Sequence, residues 1–130
     1  MAEDKKTILL VEDERPLLRV LADTFRQEGF DVLEALNGKL GLQAAVKKKP
    51  DVILLDIIMP VMDGLTMLQE LRQDPWGKNA TVILLTNLSD FERISKALEY
   101  GVYDYLVKTD WKMEDVVKKV KEKFQAPLKA

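Results

Sequence analysis

Five polar residues have side chains that could do chemistry together, and each lies at the end of an apolar run or directly after one. They are Glu12, Asp13, Asp56, Thr86 and Lys108. The sequence contains no histidine and no cysteine. Catalysis by an imidazole or a thiolate of this chain is therefore excluded. Any reaction must depend on carboxylates, hydroxyls and lysine.

The three carboxylates determine the charge of such a site. If the strand ends bring Glu12, Asp13 and Asp56 together, a like-charge pair at ~4 Å costs roughly 4 kcal/mol in a surface-like dielectric. Lys108 supplies one positive charge against these three negative charges. Without further compensation at least one acid would take up a proton, so the missing charge is best supplied by a divalent cation.

Oxygen ligands without histidine or cysteine favour Mg²⁺ over Zn²⁺. Mg²⁺ needs only one or two direct carboxylates, and it commonly partners phosphate. Together with a lysine and a hydroxyl, it provides the parts for phosphoryl transfer to a carboxylate nucleophile, Asp56. In that chemistry the cation and Lys108 neutralise the charge on the phosphoryl oxygens, and Thr86 can hydrogen-bond to the phosphoryl group.

Each of these residues also has a simpler explanation when it is taken alone. Asp13 could cap the first helix, and Asp56 could accept backbone hydrogen bonds in the turn that follows it. Thr86 could be an ordinary strand residue, and Lys108 a solvated side chain. The occurrence of all such groups at the ends of predicted strands is what favours the functional interpretation.

Five short apolar runs alternate with amphipathic stretches, and they predict the elements that must position these side chains. Three of the runs are almost continuous valine, isoleucine and leucine, which is typical of strands buried on both faces. The predicted strands are TILLV (7–11), FDVLEA (30–35), DVILLD (51–56), TVILLT (81–86) and YDYLVK (103–108). Ligands of such alternating α/β sheets bind beyond the carboxyl ends of the strands.

The stretches between the strands carry helical patterns of apolar residues. In the second helix, Leu42, Ala45 and Val46 are predicted to face the core. The helices are predicted over residues 14–28, from a cap at Asn37 to the lysines before Pro50, from Gly64 onward, from a capping box at residues 89–92 to Gly101, and from about Lys112 to Pro127.

Length and composition limit the class of protein. With 130 residues, 47% hydrophobic and 32% charged, the chain is typical of one globular domain. A formal charge of −2 leaves no net basic field for nucleic acid. The apolar stretches are strand-sized and too short for a membrane span or a signal peptide, so a cytoplasmic location without membrane contact is expected.

With these motifs the sequence resembles the receiver domain of two-component response regulators over essentially its whole length. The motifs are VEDE (11–14), LLDIIMPVMDG (54–64), LLT (84–86) and DYLVK (104–108), in the order of the family and at similar intervals. The resemblance implies a three-layer, doubly wound, flavodoxin-like α/β fold with a five-stranded parallel sheet. It also implies the strand order 2-1-3-4-5, which periodicity alone does not predict.

The resemblance assigns chemical roles to the acidic residues. Asp56 would be the phosphoacceptor, which receives a phosphoryl group from a phosphohistidine on a sensor histidine kinase or a histidine phosphotransfer protein. Mg²⁺ would be the cofactor, bound directly by Asp13, Asp56 and the backbone carbonyl of Ile58. Glu12 would act on the metal mainly through water.

The same resemblance implies a signalling switch that catalyses only its own phosphorylation and dephosphorylation. Lys108 and Thr86 would contact the phosphoryl group. Tyr105 would turn inward when Thr86 moves toward the phosphate; its alternative is an ordinary strand aromatic. Phosphorylation would then change the face formed by helix 4, strand 5 and helix 5, which a partner protein reads.

Two features depart from the family pattern. Thr109 stands where the family usually has a proline after the lysine, often with a cis peptide bond. A non-proline cis bond costs about 2.5–4 kcal/mol, so a trans bond or a strained cis bond is expected there. Ile58 and Leu88 are apolar at positions that flank the route of the hydrolytic water, which predicts a long-lived phosphoryl group.

Other classes of protein fit the motifs less well. A flavodoxin-like cofactor binder would need a hydroxyl- or glycine-rich phosphate loop, but the first strand is followed by EDERP. A haloacid-dehalogenase-type phosphatase would need a second acid at the position of Ile58. A receiver-like interaction module that works without phosphorylation remains the alternative, which Thr109 keeps open.

Residues 1–130 are predicted to form a single receiver domain, folded from about residue 6 to about residue 125, without an output domain. The sequence is compatible with a free-standing receiver and with part of a longer regulator. The implied partners are the phosphohistidine donor and a downstream effector protein or a missing output domain. Homodimerisation is left open.

Overall fold

The structure is a computed structural model that describes residues 5–59, 61–86, 91–102, 104–108 and 112–124. Strands and helices alternate along these residues. The strands are β1 (Thr7–Val11), β2 (Asp31–Ala35), β3 (Val52–Asp56), β4 (Val82–Thr86) and β5 (Asp104–Val107). The helices are α1 (Arg15–Gln27), α2 (Gly38–Lys48), α3 (Gly64–Leu71), α4 (Phe91–Glu99) and α5 (Met113–Glu122), with a short 3-10 helix at Gly77–Asn79.

The five strands form one parallel sheet in the order β2-β1-β3-β4-β5, which confirms the expected fold and strand order. Asp56 at the end of β3 is in register with Leu85, and Thr86 at the end of β4 is in register with Val107. The carboxyl ends of the strands therefore lie at one edge of the sheet, where the polar residues follow them. Within the described residues, no helix is long and apolar enough to cross a membrane.

Alternate strand residues pack against helices on opposite faces of the sheet, because successive side chains of a strand point to opposite sides. On one face, Leu9, Ile53 and Leu84 belong to a core with residues of α2, α3 and α4. On the other face, Leu10 and Leu54 belong to a core with residues of α1 and α5. These two cores give the three layers that hold the central strands rigidly in place.

The sequence predicted the elements well and some of their boundaries less well. The strands predicted from Phe30, Asp51 and Thr81 each begin one residue later in the structure. Val46 was predicted to face the core, but it is 36% exposed. The buried stripe of α2 runs through Gly38, Gly41 and Ala45, and Val46 lies about 100° around the helix from Ala45, beside this stripe. The last helix ends at Glu122, before the predicted stop at Pro127, which lies outside the described residues.

The loop from β3 to α3 is held by Gly64. Its N–H donates to the carbonyl of Ile57 at 2.7 Å, and the side chain of Asp63 caps α3 by accepting from the N–H of Thr66 at 2.8 Å. A Cβ atom at Gly64 would lie 2.3 Å from the backbone oxygen of Asp56. Only glycine lets the start of α3 approach the end of β3 this closely, so Gly64 helps to fix the position of Asp56.

Substitution of Gly64 by alanine should therefore destabilise the protein by overpacking. We expect Gly64→Ala to lower the free energy of unfolding by about 1–3 kcal/mol more than Gly101→Ala, as measured by urea denaturation. Gly101 is the control, because its φ is +79° and an added Cβ would meet nothing within 4 Å. That variant reports the backbone cost alone, and equal losses in the two variants would contradict the close approach at Gly64.

Candidate functional site

The ends of the strands bring the five predicted residues to the same edge of the sheet. Glu12 follows β1, Asp56 ends β3 and Thr86 ends β4, and all three are buried, with 0%, 3% and 0% of their surface exposed. Lys108 follows β5, where its backbone N–H donates to the carbonyl of Thr86 at 2.7 Å. Burial of these polar groups is expensive unless they are paired, so their contacts decide what the site can do.

The ammonium group of Lys108 lies among three carboxylates. Its Nζ atom is 3.1 Å from Oδ2 of Asp56, 3.0 Å from Oε1 of Glu12 and 2.9 Å from Oε2 of Glu14. The lysine side chain is 12% exposed, and those of Glu12 and Asp56 are 1% and 4% exposed. Lys108 is therefore a largely shielded cation that lies directly beside the Asp56 carboxylate.

Glu12, Asp13 and Asp56 form the acidic part of the site. One carboxylate oxygen from each lies within 4.8 Å of the other two, and Asp13 is only partly buried. Asp13 does not cap α1, because the residue at the N-cap position is Glu14. Oε2 of Glu12 accepts from the backbone N–H of Glu14 at 2.9 Å, whereas its buried Oε1 has no well-directed hydrogen bond.

Burial and mutual repulsion shift the ionisation of this acidic group. Burial raises the pKa of Glu12 to about 7, against the hydrogen bond from Glu14, and the charge of Asp56 adds to the rise. Burial also raises the pKa of Asp56, which the ammonium of Lys108 opposes and the neighbouring Asp13 reinforces. One lysine does not fully compensate the carboxylates around it, in keeping with the charge argument made from the sequence.

Lys108 itself stays charged. Burial alone would lower the pKa of Lys108, but the hydrogen bond to Glu14 and the contact with Glu12 outweigh burial, and the pKa rises above its ordinary value. A fixed ammonium 3.1 Å from Asp56 can neutralise negative charge that is added to that carboxylate. The arrangement therefore suits a nucleophilic carboxylate that receives an anionic group.

Two further predicted residues, Ile58 and Tyr105, belong to the described part of the chain, and other predictions concern residues outside it. Ile58 follows β3 by two residues and is 46% exposed. Tyr105 lies in β5, in register with Leu84, and is 42% exposed. Leu88 and the peptide bond between Lys108 and Thr109 fall outside the described residues.

Among the residues that the structure describes, Glu14 is a carboxylate contact of Lys108 that the sequence analysis did not assign to the site. It belongs to the motif VEDE, from which only Glu12 and Asp13 were predicted to be site residues. The third acid of this motif, Glu14, extends the same acidic run, and this position could have indicated that it belongs to the site. Nothing in the spacing indicates that the first residue before a helix reaches across to a lysine 94 positions away.

The fold and this site define a class of α/β domain in which carboxylates and a lysine meet at the carboxyl edge of a parallel sheet. Residues 8–121 match the family described as the response regulator receiver domain. The chain belongs to this family, the receiver domains of two-component response regulators.

Relatives and solved structures agree with this assignment. The chain is 40% identical over 104 residues to a probable C4-dicarboxylate response regulator, DctR, of Priestia megaterium. It resembles a CheY-like receiver domain protein of Methanospirillum hungatei with a TM-score of 0.85 and 26% identity, over 92% of this chain and 94% of that one. A sensor histidine kinase receiver domain of Pseudomonas aeruginosa, solved with a magnesium ion in its active site cleft, gives a TM-score of 0.81 and 28% identity, over 91% of this chain and 96% of that one.

The curated relatives are longer than the matched region. The aligned residues make up 78% of this chain but 45% of the DctR relative. In a histidine kinase of Formosa agariphila, 36% identical to this chain, they make up 82% of this chain and 8% of the relative. What the chain shares with these proteins is the receiver part.

The ionisation of Glu12 should make the stability of the metal-free protein fall as pH rises. The folded protein holds this proton up to about pH 7, whereas an ordinary glutamate loses it near 4.5. Between these values the folded state binds more protons than the unfolded state, so the free energy of unfolding decreases with rising pH. Glu12→Gln cannot ionise and should lack this part of the decrease in urea denaturation measured with a chelator from pH 4 to pH 8.

Glu99→Gln provides the matched control, because Glu99 is exposed on α4 and lies outside the acidic group. This variant should follow the wild type across the pH range. If Glu12→Gln and the wild type showed parallel pH profiles, the raised pKa of Glu12 would be wrong.

Proposed function

We propose that this receiver domain accepts a phosphoryl group on Asp56 from a partner's phosphohistidine, with Mg²⁺, and passes the signal on by a change of shape. The observation that carries the proposal is the position of Asp56. Its carboxylate ends β3, is 3% exposed, lies 3.1 Å from Nζ of Lys108 and belongs to a group of three acids that can hold a metal. A domain of this kind is a signalling switch whose only chemistry is its own phosphorylation and dephosphorylation.

The transfer needs few groups from the chain. A carboxylate oxygen of Asp56 attacks phosphorus, the bond from phosphorus to the imidazole nitrogen of the donor breaks, and its electron pair returns to that nitrogen. Lys108 stabilises the charge on the phosphoryl oxygens. The hydroxyl of Thr86, at the end of β4, donates a hydrogen bond to one of these oxygens. The chain has no histidine, so the phosphohistidine must come from a sensor histidine kinase or a histidine phosphotransfer protein.

The residues present fit Mg²⁺. Three carboxylate oxygens lie within 4.8 Å of one another, and the buried Oε1 of Glu12 lacks a well-directed hydrogen bond. Hard oxygen ligands suit Mg²⁺, which when bound would neutralise charge on the phosphoryl oxygens. We assign Asp13, Asp56 and the backbone carbonyl of Ile58 as direct ligands, and Glu12 as a residue that acts through water.

The response is proposed to run from Thr86 through β5 to the surface. Thr86 ends β4, next to Val107 of β5, and its carbonyl accepts from the N–H of Lys108. Tyr105 lies on the same side of the sheet as α4 and is 42% exposed, and Leu98 of α4 is 44% exposed. These exposed apolar side chains support the proposal that the face formed by α4, β5 and α5 can change its contacts. That face would regulate an effector protein or an output domain, and it could also mediate homodimerisation.

Loss of Asp56 tests the function directly. With Mg²⁺ and acetyl phosphate, the wild type should gain one phosphoryl group by intact-mass spectrometry, and Asp56→Ala should gain none. Lys108→Ala should be labelled much more slowly, because the charge of the phosphoryl oxygens is then unbalanced. Labelling without Mg²⁺, or retained in Asp56→Ala, would contradict the proposal.

The control is Asp51→Asn, since Asp51 lies at the opposite end of β3 and accepts from the N–H of Thr7 at 2.7 Å. It should be labelled like the wild type. Correct folding of every variant is checked by circular dichroism. A wild-type protein that binds a partner but is never labelled would instead favour a receiver-like interaction module.

The apolar side chain of Ile58 is predicted to prolong the phosphorylated state. It is 46% exposed two residues after Asp56, where it hinders the approach of the hydrolytic water. Ile58→Asn should shorten the half-life of the phosphoryl group several-fold after the donor is removed. Val61→Asn is the matched control, because Val61 is 78% exposed in the same loop, and its φ of 70° is a conformation that asparagine tolerates. Equal lifetimes for Ile58→Asn and the wild type would contradict this role.

A further inference from the structure

The ammonium group of Lys108 donates hydrogen bonds to the carboxylates of Glu14 and Asp56 and also lies beside that of Glu12. A lysine ammonium carries three N–H donors. Carboxylate oxygens of three residues lie within 3.1 Å of its Nζ atom: Glu14 at 2.9 Å, Glu12 at 3.0 Å and Asp56 at 3.1 Å. A phosphoryl group that arrives on Asp56 brings oxygens that compete for the same cation with the carboxylates that now surround it.

The three carboxylates differ in how easily each can give up its contact with the Lys108 ammonium. The side chain of Glu12 is 1% exposed, and its displacement from Lys108 would leave a buried charge without its cation. Asp56 is 4% exposed and is itself the acceptor. The side chain of Glu14 is 61% exposed, so water can replace the ammonium around it at little cost. Glu14 is therefore the contact that exchanges most easily.

The backbone of Glu14 is fixed although its side chain is exposed. Its N–H donates to Oε2 of Glu12 at 2.9 Å, and its carbonyl accepts from the N–H of Leu18 at 2.9 Å in the first turn of α1. It stands at the N-cap of α1, yet its side chain makes no capping hydrogen bond. The carboxylate thus reaches Lys108 from a rigid base and can turn to solvent without disturbing the helix.

We propose that Glu14 is a positioning residue that acts as an internal stand-in for the phosphoryl group. In the resting protein its carboxylate occupies one donor of Lys108 and holds the ammonium over Asp56. When a phosphoryl group arrives, its oxygens take that donor, and the Glu14 side chain moves into water. Because an incoming anion must displace the Glu14 carboxylate from Lys108, Glu14 weakens the binding of anions to the site. This inference rests on the proposed function of Asp56 and Lys108.

Removal of the Glu14 charge should make the site bind anions more tightly. We expect Glu14→Gln to lower the half-saturating concentration of trifluoroberyllate, a phosphoryl mimic, by about twofold to fivefold, the scale of one exposed ion pair. The half-saturating concentration of acetyl phosphate should fall in the same proportion, with a smaller change in the maximal rate of labelling. Both are measured at saturating Mg²⁺, so that metal occupancy is the same in all variants.

Three other variants separate this role from a general effect. Glu14→Ala should behave like Glu14→Gln, and Glu14→Asp, which keeps the charge on a shorter side chain, should lie between Glu14→Gln and the wild type. Glu99→Gln removes the same charge from an exposed position of α4 and should change neither half-saturating concentration. The split between half-saturation and maximal rate is a result that a merely structural role of Glu14 would not give.

The outcomes also distinguish this inference from the proposed function. If the wild type bound trifluoroberyllate and was labelled, but Glu14→Gln and Glu14→Ala had unchanged or weaker half-saturation, the role of Glu14 would be wrong and the function of Asp56 would stand. If the wild type neither bound the mimic nor was labelled in Mg²⁺, the proposed function would itself be wrong.

Discussion

The burial of like charges at the carboxyl edge of the sheet is the constraint on which the rest of this molecule depends. A parallel sheet brings the ends of β1, β3 and β4 to one edge, so Glu12, Asp56 and Thr86 meet there whether or not their charges balance. Glu12 and Asp56 are almost fully buried, and Lys108 is the cation that lies against both. The raised pKa values of both acids express the cost of this arrangement.

A site with this imbalance is sensitive to added charge. A cation among the acids relieves their repulsion, whereas an anionic group on Asp56 draws on the charge of Lys108. The surrounding core does not deform easily, because the residues of β3 and β4 are almost completely buried between two helical layers. A change of charge is therefore expected to act on the groups at the rim of the sheet, such as Glu14 and the hydroxyl of Thr86, before it acts on the sheet itself.

The sequence allowed the fold and most of the site to be predicted, for definite physical reasons. Continuous apolar runs identify buried parallel strands, and the residue after each run must lie at the ligand-binding edge, which located Asp56 and Lys108. The strand order required the resemblance to a family, since periodicity describes each strand alone. Glu14 was missed because its role depends on a contact between residues 94 positions apart, and no local pattern encodes that contact.

Other differences arise where packing overrides a local pattern. Val46 has the helical spacing of a core residue, but α2 packs through Gly41 closely against Val11, and this contact leaves Val46 beside the buried stripe of the helix, where it is exposed. Val61 adopts a φ of 70°, which a β-branched residue rarely does. It lies between the buried end of β3 and the close contact of Gly64, and this short span leaves the chain few other conformations.

Hydrogen bonds from Arg72 hold the carboxyl-terminal end of α4 at the opposite edge of the sheet. Arg72, after the end of α3, donates to the carbonyls of Tyr100 at 2.7 Å, Gly77 at 2.8 Å and Ala80 at 2.8 Å. These hydrogen bonds join the carboxyl-terminal end of α4 to α3 and to the start of β4. Because a partly buried guanidinium that loses such partners pays a desolvation penalty, these hydrogen bonds stabilise the position of this end of α4. In the proposed switch, this anchoring would leave the amino-terminal end of α4 freer to move than the end beside Tyr100.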